Sequence, residues 1–227
     1  MAVRPKVAII ATGNELVEPS QSPSLSQVRD SNSFQLAAQA ETIGVVTKNY
    51  GIARDTRQAI DAAIKTAIAE NDVVLISGGV SMGDFDFVPD ILKQNGIELM
   101  FEKIAIKPGK PTVFGLSESV FCFGMPGHPV SGFVMCEFLV KPFLYKLMGY
   151  DFTPVEIKVP LGAPVSRKKA GRPSWIPVVI TDEGTARPLE YHGSAHFNAL
   201  CGADGLLCIP KGTAELKEGT VVSVRRI

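Results

Sequence analysis

Two short apolar segments, each running directly into glycine, constrain the fold more than any other feature of this sequence. Residues 73–77 read Val-Val-Leu-Ile-Ser and precede Gly78-Gly79, and residues 6–11 read Lys-Val-Ala-Ile-Ile-Ala and precede Thr12-Gly13. A short, continuous apolar run between turn-forming residues is typical of a strand that is buried on both faces of a parallel sheet. Because parallel strands end at the same edge, where open α/β folds bind ligands, the two glycine-containing ends predict a ligand site.

Strand and helix patterns alternate along the first third of the chain. Apolar residues recur at helical spacing in residues 34–43, beginning with Phe34, and in residues 57–70, with a strand pattern at residues 45–52 between them. This order predicts an α/β fold, namely a three-layer, doubly wound, mostly parallel sheet with right-handed connections. Asp55 precedes the second helix, so it is expected either to cap that helix or to belong to the site.

The pattern changes in the second half of the chain. Residues 130–148 are apolar almost all round, which predicts one long buried helix with a kink at Pro142. From residue 149 onward, short β-type runs are separated by glycine and proline turns. We therefore predict an α/β domain over residues 1–149 and a small, all-β, barrel-like domain over residues 150–227.

Carboxylates accompany the glycine-containing strand ends. Glycines allow the backbone to approach a ligand closely, and the amides of such a turn favour an anion. Asp84 and Asp86 follow the strand at residues 73–77. They would repel a bound phosphate unless a hard cation such as Mg²⁺ bridged them. This combination predicts a nucleotide or phosphorylated cofactor with a metal, against the alternative of a simple tight turn. Glu15 can serve as a metal ligand or general base, or remain a solvated loop residue.

Positive charge is concentrated in one proline-containing loop. Lys103, Lys107 and Lys110 lie close together, and the prolines at 108 and 111 keep the loop extended. We expect an oxyanion or phosphate clamp here rather than a solvated charged face. A further turn, residues 126–129 (Pro-Gly-His-Pro), opens the long helix; its His128 could contact phosphate or be structural.

Composition excludes several classes of partner. The chain has 23 basic and 23 acidic side chains in 227 residues, so its neutral balance argues against nucleic acid or an anionic membrane surface as a partner. No apolar run reaches transmembrane length and the N-terminus lacks a signal pattern, so a cytoplasmic location is expected. The four cysteines have no CxxC spacing, which argues against zinc.

With these residues laid out, the chain resembles the C-terminal half of the molybdopterin molybdenumtransferase family, the MoeA and gephyrin E-domain group, without that family's two N-terminal domains. The motifs that carry the resemblance are Thr12-Gly13-Asn14-Glu15-Leu16, Arg29-Asp30-Ser31-Asn32, Ser77-Gly78-Gly79-Val80-Ser81-Met82-Gly83-Asp84, Lys107-Pro108-Gly109-Lys110-Pro111 and Met125-Pro126-Gly127-His128-Pro129. The resemblance implies a molybdopterin-binding fold followed by a β-barrel-like domain. It also implies insertion of molybdate into adenylylated molybdopterin, with Mg²⁺-dependent release of AMP. A homodimer is implied as well, together with a molybdopterin adenylyltransferase as a further partner.

The resemblance and the residue patterns together define the candidate site. Glu15, Asp84 and Asp86 are the expected catalytic residues and magnesium ligands. The expected cofactor-binding residues are Thr12, Gly13, Asp30, Asp55, Ser77, Gly78, Gly79, Ser81, Gly83, Lys103, Lys107, Lys110, Pro126, Gly127, His128, Pro129, Arg172 and Ser194.

Three other functions remain open at this point. The first is a non-catalytic module that binds, carries or senses molybdopterin. The second is the adenylyltransferase that makes the adenylylated intermediate. A third, a nucleotide pyrophosphatase of the competence-damage type, shares the fold but would be expected without the β domain.

Overall fold

The computed structural model describes residues 4–81 and 86–227, which divide into two compact units. The first unit contains the chain up to Ile104 together with Pro111–Phe152, and the second contains Ala105–Lys110 and Thr153–Ile227. Among the described residues, no helix combines the length and hydropathy needed to span a bilayer.

The first unit is a layered α/β structure. Its elements are β1 (Lys6–Thr12), β2 (Leu16–Val17), β3 (Val28–Arg29), α1 (Asn32–Glu41), β4 (Val46–Ala53), α2 (Arg57–Glu70), β5 (Val73–Ser77), α3 (Val88–Gln94), β6 (Glu98–Phe101), β7 (Val113–Leu116), β8 (Phe121–Met125), α4 (Pro129–Met135), a π-helix (Cys136–Val140) and α5 (Lys141–Leu147). The main sheet has the order β4-β1-β5-β8-β7-β6, in which β4, β1, β5 and β8 are parallel and β7 and β6 are antiparallel. The predicted mostly parallel, doubly wound sheet is therefore confirmed.

The two apolar runs form the centre of this sheet. Residues 7–11 of β1 and 73–76 of β5 are 0% exposed, as expected for strands covered on both faces. On one face, a single apolar cluster joins these strands to the inner sides of α2 and α3, with Ile60, Ile64, Ala67, Ile91 and Leu92 among its members. Burial of each isoleucine or leucine contributes roughly 1.5–3 kcal/mol, so this cluster holds the sheet and helices together.

The chain reverses its direction of winding at β1. It leaves β1 through α1 to reach β4 on one side, then returns through α2 to reach β5 on the other side. The connections therefore diverge between β1 and β5, and a crevice is expected at the carboxyl ends of these strands. Thr12 ends β1 and Ser77 ends β5, so the predicted site residues meet at this point.

The predicted single helix over residues 130–148 is wrong in one respect, because a π-helix separates α4 from α5. The Lys141 N–H donates to the Cys136 carbonyl, the wider spacing of a π-turn, and Pro142 then occupies the first turn of α5. Proline has no N–H to give to the carbonyl four residues earlier. Its position after the π-turn places it where that donor is not needed.

The second unit is an antiparallel β structure, as predicted, with one short helix among its described elements. Its elements are β9 (Glu156–Pro160), β10 (Val165–Ser166), β11 (Ser174–Ile180), β12 (Ala186–Pro188), α6 (Asn198–Cys201), β13 (Gly205–Ile209), β14 (Glu215–Leu216) and β15 (Val221–Arg226). Five strands form a sheet in the order β12-β11-β13-β15-β9, and β10 pairs with β14.

The segment Ala105–Lys110, here called the lysine loop, belongs to this second unit, although the sequence pattern placed it in the α/β domain. Lys107 forms a parallel bridge with Ser174, in which the Lys107 N–H donates to the Pro173 carbonyl (3.0 Å) and the Trp175 N–H donates to the Lys107 carbonyl (2.8 Å). These main-chain bonds join Ala105–Lys110 to the start of β11.

Candidate functional site

The end of β1 packs directly against the glycines that follow β5. A Cβ on Gly78 would lie 2.6 Å from both the carbonyl oxygen and the Oγ1 of Thr12, and one on Gly79 would lie 3.2 Å from Thr12 Oγ1. Both glycines have positive φ angles, +96° and +63°. Only glycine can combine this conformation with so close an approach. The two glycines therefore bring the two strand ends into contact.

Thr12 carries an unsatisfied polar group at this contact. The residue is 5% exposed, and its Oγ1 is buried without a hydrogen-bond partner. Buried hydroxyl groups are nearly always paired, so this unpaired one makes Thr12 a candidate binding residue.

Asn32, the first residue of α1, connects a third strand end to this contact. Its Nδ2 donates to Ser77 Oγ and to the Gly127 carbonyl, each at 2.8 Å, while its Oδ1 is buried and unpaired. Gly127 follows β8, and a Cβ there would be 3.6 Å from the Gly78 Cα. The ends of β1, β5 and β8 therefore form one patch around Gly78. Sequence reasoning did not select Asn32, although it belongs to one of the motifs that carried the resemblance.

Asp30 organises the start of α1. Its carboxyl Oδ1 accepts a hydrogen bond from the Ser33 N–H at 3.1 Å, and the Asp30 N–H donates to the Val17 carbonyl at 2.9 Å. Asp30 is 4% exposed. The carboxylate thus satisfies one of the free amides at the helix N-terminus, which fixes where Asn32 begins the helix.

Asp55 is not the cap of α2. Thr56 caps that helix, since its side chain accepts a hydrogen bond from the Ala59 N–H at 3.2 Å. Asp55 instead pairs with Asn14: its Oδ2 accepts from the Asn14 N–H at 2.9 Å, and its own N–H donates to Asn14 Oδ1 at 3.2 Å. The pair holds Asp55 beside the loop after β1, and its role in the site stays a prediction.

Glu15 lies in the same loop. A Cβ on Gly13 would be 2.9 Å from the carboxyl carbon and both carboxyl oxygens of Glu15, so this carboxylate folds back over Gly13. Glu15 is exposed. An accessible carboxylate at the carboxyl edge of β1 is a hard oxygen donor of the type that Mg²⁺ prefers.

The other expected metal ligands lie after β5. Gly83 and Asp84 are outside the described residues, Ser81 is exposed at their boundary, and Asp86 lies just before α3. Within residues 4–81 and 86–227, no group of three or more His, Cys, Asp or Glu side chains is arranged to hold a metal ion. Glu15 and Asp86 are carboxylates of the type that suits Mg²⁺, and the assignment of Glu15, Asp84 and Asp86 as its ligands stays a prediction.

The turn at residues 126–129, here called the proline loop, connects β8 to α4. Pro126 is buried, whereas Gly127 and His128 are exposed. His128 is the N-cap residue of α4 with extended backbone, and Pro129 occupies the first helical turn, where its missing N–H costs nothing. The His128 side chain makes no capping hydrogen bond, so helix capping does not account for it.

The remaining basic candidates fall in different places. Lys103 lies in the first unit, and Lys107 and Lys110 lie in the second. In the second unit, Arg172 Nη1 donates to the Ile106 carbonyl at 3.0 Å, which holds this guanidinium beside the lysine loop.

The turns that carry Arg172 and Ser194, the two candidates from the β domain, are separate parts of the second unit. The Arg167 guanidinium fixes the turn that carries Arg172 by donating to the carbonyls of Arg172 (2.6 Å), Thr213 (2.8 Å) and Pro210 (2.5 Å). Ser194 lies in a separate turn, closed by the His196 N–H donating to the Gly193 carbonyl at 2.9 Å.

The fold and the patch around Gly78 define a doubly wound α/β domain with a candidate ligand site at its switch point, followed along the chain by an antiparallel β unit. A family model described as a probable molybdopterin binding domain matches residues 8–146, and one described as the MoeA C-terminal region (domain IV) matches residues 158–226. The chain therefore belongs to the molybdopterin-binding domain family, in the arrangement that carries a MoeA C-terminal region, and the resemblance stated above is confirmed.

Individual relatives agree with this assignment. The chain is 32% identical over 227 residues to a molybdopterin molybdenumtransferase of Staphylococcus epidermidis, which covers 99% of this chain and 54% of that protein. It is 30% identical over 224 residues to one of Staphylococcus aureus, covering 97% and 54%. A crystal structure of the molybdopterin biosynthesis MoeA protein from Pyrococcus horikosii matches with a TM-score of 0.85 and 31% identity over 98% of this chain and 54% of that one. The chain thus spans about half the length of these relatives.

Proposed function

We propose that the patch around Gly78 binds adenylylated molybdopterin and that the chain inserts molybdate into it, with Mg²⁺-dependent release of AMP. Molybdenum cofactor biosynthesis is the setting that the family membership supports. The observation that carries the proposal is that two oxygens of the patch are buried and unpaired, Thr12 Oγ1 at the end of β1 and Asn32 Oδ1 at the start of α1. Each such atom costs about 1–3 kcal/mol while unpaired, and a polar ligand entering here could supply the missing partners.

The chemistry of the first unit agrees with a phosphorylated pterin. Asn32 Oδ1 can only accept a hydrogen bond, so it calls for an N–H or O–H group of the ligand, whereas Thr12 Oγ1 can donate or accept. The turn amides after β5 suit phosphate oxygens. Glu15, Asp84 and Asp86 would hold Mg²⁺, which would neutralise phosphate charge as the adenylate leaves.

The second unit supplies the groups that suit the other substrate. Molybdate is an oxyanion, and arginine and lysine are the side chains that bind oxyanions most strongly. We assign Lys107, Lys110 and Arg172 as its contacts, with Ser194 as a further contact and Lys103 as a contact of the pterin. The Arg172 guanidinium uses one N–H on the Ile106 carbonyl, and the planar group has others to offer.

A second candidate function is binding of molybdopterin without catalysis. It is favoured by the position of the two unpaired oxygens, both of which lie in the patch around Gly78 of the first unit. Binding needs only this patch, whereas insertion also needs the metal ligands and the basic side chains. The adenylyltransferase alternative is disfavoured by the match to the MoeA C-terminal region. As partners we propose a second copy of the chain and an adenylyltransferase that supplies the substrate in the cytoplasm.

Two measurements test these proposals, namely the release of AMP and the binding of adenylylated molybdopterin. The chain is mixed with adenylylated molybdopterin, Mg²⁺ and molybdate, and AMP release is followed with and without molybdate. Molybdate-dependent release, abolished in the Asp84→Asn, Asp86→Asn double variant, supports the transferase. Tight binding without release supports the binding module, and absence of binding refutes both.

Thr12→Val tests the patch itself. Valine has the shape of threonine without the unpaired hydroxyl, so the variant should be more stable than the parent by about 1 kcal/mol. The same change should weaken binding of adenylylated molybdopterin, because a ligand partner is lost. Urea unfolding and ligand titration measure the two effects. Unchanged affinity in a stabilised variant would show that Thr12 does not contact the ligand.

A further inference from the structure

One face of α1 is polar and yet buried. Asn32, Gln35 and Gln39 are spaced by three and four residues and therefore lie on the same side of the helix. Gln35 and Gln39 are 8% and 9% exposed, whereas Phe34 is 52% exposed. The sequence pattern had placed Phe34 on the apolar face. A buried glutamine is tolerated only when its amide is hydrogen-bonded, so the partners of these side chains explain the arrangement.

Gln35 engages the first turn of α4. Its amide is satisfied when the nitrogen donates to the Pro129 carbonyl at 3.2 Å and the oxygen accepts from the Phe133 N–H at 2.8 Å. In a regular α-helix those two main-chain groups would pair with each other. The Gln35 side chain thus bonds both members of that pair and ties the start of α4 to α1.

The proline loop is adjacent to this contact. A Cβ on Gly132 would lie 3.6 Å from the Pro126 carbonyl oxygen and 3.8 Å from the Gln35 amide oxygen in this orientation, so the loop and Gln35 meet at one helical position. Asn32, on the same face of α1, donates to the Gly127 carbonyl at 2.8 Å. Side chains of α1 therefore hold the loop from both sides, at Gly127 and at Pro129.

Gln39 continues the polar face away from the loop. Its Nε2 donates to the Phe133 carbonyl at 3.3 Å and to Glu137 Oε1 at 3.0 Å. Glu137 also pairs with Lys141, at 2.9 Å. Like Gln35, Gln39 links α1 to the main chain of Phe133, but it does so one turn farther from the proline loop. Gln39 is therefore a natural control.

We infer that Gln35 is a positioning residue for the proline loop: it fixes the conformation in which residues 126–129 meet the ligand, without touching the ligand itself. The inference rests on the proposed function for the ligand's identity, but the restraint on the loop is a property of the protein alone. Restraining a binding loop before the ligand arrives lowers the entropy cost of binding. Loss of the restraint should therefore appear in affinity as well as in loop motion.

The test compares Gln35→Met with Gln39→Met. Methionine keeps the length and unbranched shape of glutamine and removes the amide, so each variant isolates hydrogen bonding from packing. Two quantities are measured in the full chain: the Kd for adenylylated molybdopterin, and amide hydrogen exchange across residues 126–133. For Gln35→Met we expect a Kd raised on the order of tenfold and exchange accelerated on the order of fivefold or more at residues 127–133. For Gln39→Met we expect a near-parental Kd and unchanged exchange at Gly127 and His128, the two residues of the proline loop that carry an amide N–H.

The outcomes separate positioning from a merely structural role. If both variants lose stability and neither changes the Kd, the inference is overturned. If the parent chain does not bind the pterin, the proposed function fails, and exchange alone then decides: selective acceleration at the loop in Gln35→Met upholds the restraint, and equal exchange overturns it. Should Gln35→Met fail to fold, Gln35→Glu replaces it, because the carboxylate keeps an acceptor for the Phe133 N–H and loses the donor to Pro129.

Discussion

Substitution of Gly78 by alanine is the most direct test of the contact between β1 and β5. Two costs are expected. Alanine at a φ of +96° is strained by about 1–2 kcal/mol. Its Cβ would also lie 2.6 Å from the Thr12 carbonyl oxygen, a main-chain atom of a buried central strand that cannot move aside, and such overpacking typically costs about 1–3 kcal/mol. The sum is roughly 2–5 kcal/mol, a large part of the stability of an ordinary domain.

The control is Gly96→Ala. Gly96 belongs to the same unit and has a φ of +78°, but a Cβ there would meet no atom within 4 Å. Gly96→Ala should be destabilised only by the backbone strain. The difference in unfolding free energy between the two variants, about 1–3 kcal/mol, therefore measures the cost of the close approach. Urea unfolding followed by far-UV circular dichroism reports on the first unit. Fluorescence of Trp175, the single tryptophan, reports on the second.

The result has a clear refutation. Equal destabilisation in both alanine variants would mean that the strand ends are not in contact, and the patch around Gly78 would lose its basis. If only the transition of Trp175 shifted, the substitution would have destabilised the second unit, which the contact in the first unit does not explain. If the contact is real, Gly78→Ala should also weaken ligand binding beyond any effect of Gly96→Ala, because Thr12 is displaced.

Two further predictions concern pairing and burial. In a double-mutant cycle on Asn14→Ala and Asp55→Ala, we expect a coupling free energy on the order of 1 kcal/mol from their reciprocal hydrogen bonds, measured by urea unfolding, and additive effects would contradict the pairing. Burial raises the pKa of the Cys122 thiol to about 12, so at pH 8 this group stays protonated and shielded while the exposed Cys201 reacts. Iodoacetamide followed by mass spectrometry should label Cys201 in the native protein and Cys122 only after unfolding; rapid native labelling of Cys122 would contradict its burial.

The elements predicted correctly are those whose burial leaves a local mark in the sequence. A strand covered on both faces needs an unbroken apolar run, and residues 73–76 and 7–11 show one. The helix at 57–70 needs one apolar stripe, and Ile60 and Ile64 supply it. The glycines after β5 were predicted to allow a close approach, although their partner was not: Thr12 is 66 positions away from Gly78 by sequence number.

Capping and pairing were decided by distant partners. Asp55 and Thr56 are both good cap residues, and nothing local distinguishes them. The choice is settled by Asn14, which the parallel pairing of β1 with β4 brings beside Asp55. In the same way, the bridge between Lys107 and Ser174 assigns the lysine loop to the second unit, and residues so far apart in sequence leave no periodic signal of their contact.

By itself, the sequence determined the fold class, the family and the edge of the sheet that carries the candidate site, because each depends on short-range patterns of apolar residues, glycines and motifs. Tertiary structure alone decided which polar side chains are buried. Gln35 and Gln39 look like solvent-facing helix residues, and Phe34 looks like core, until α4 presents its main-chain groups to α1. Hydrogen bonds to a distant segment then outweigh the hydrophobicity of one exposed phenylalanine, since an unpaired buried amide costs more than a single apolar side chain left in water.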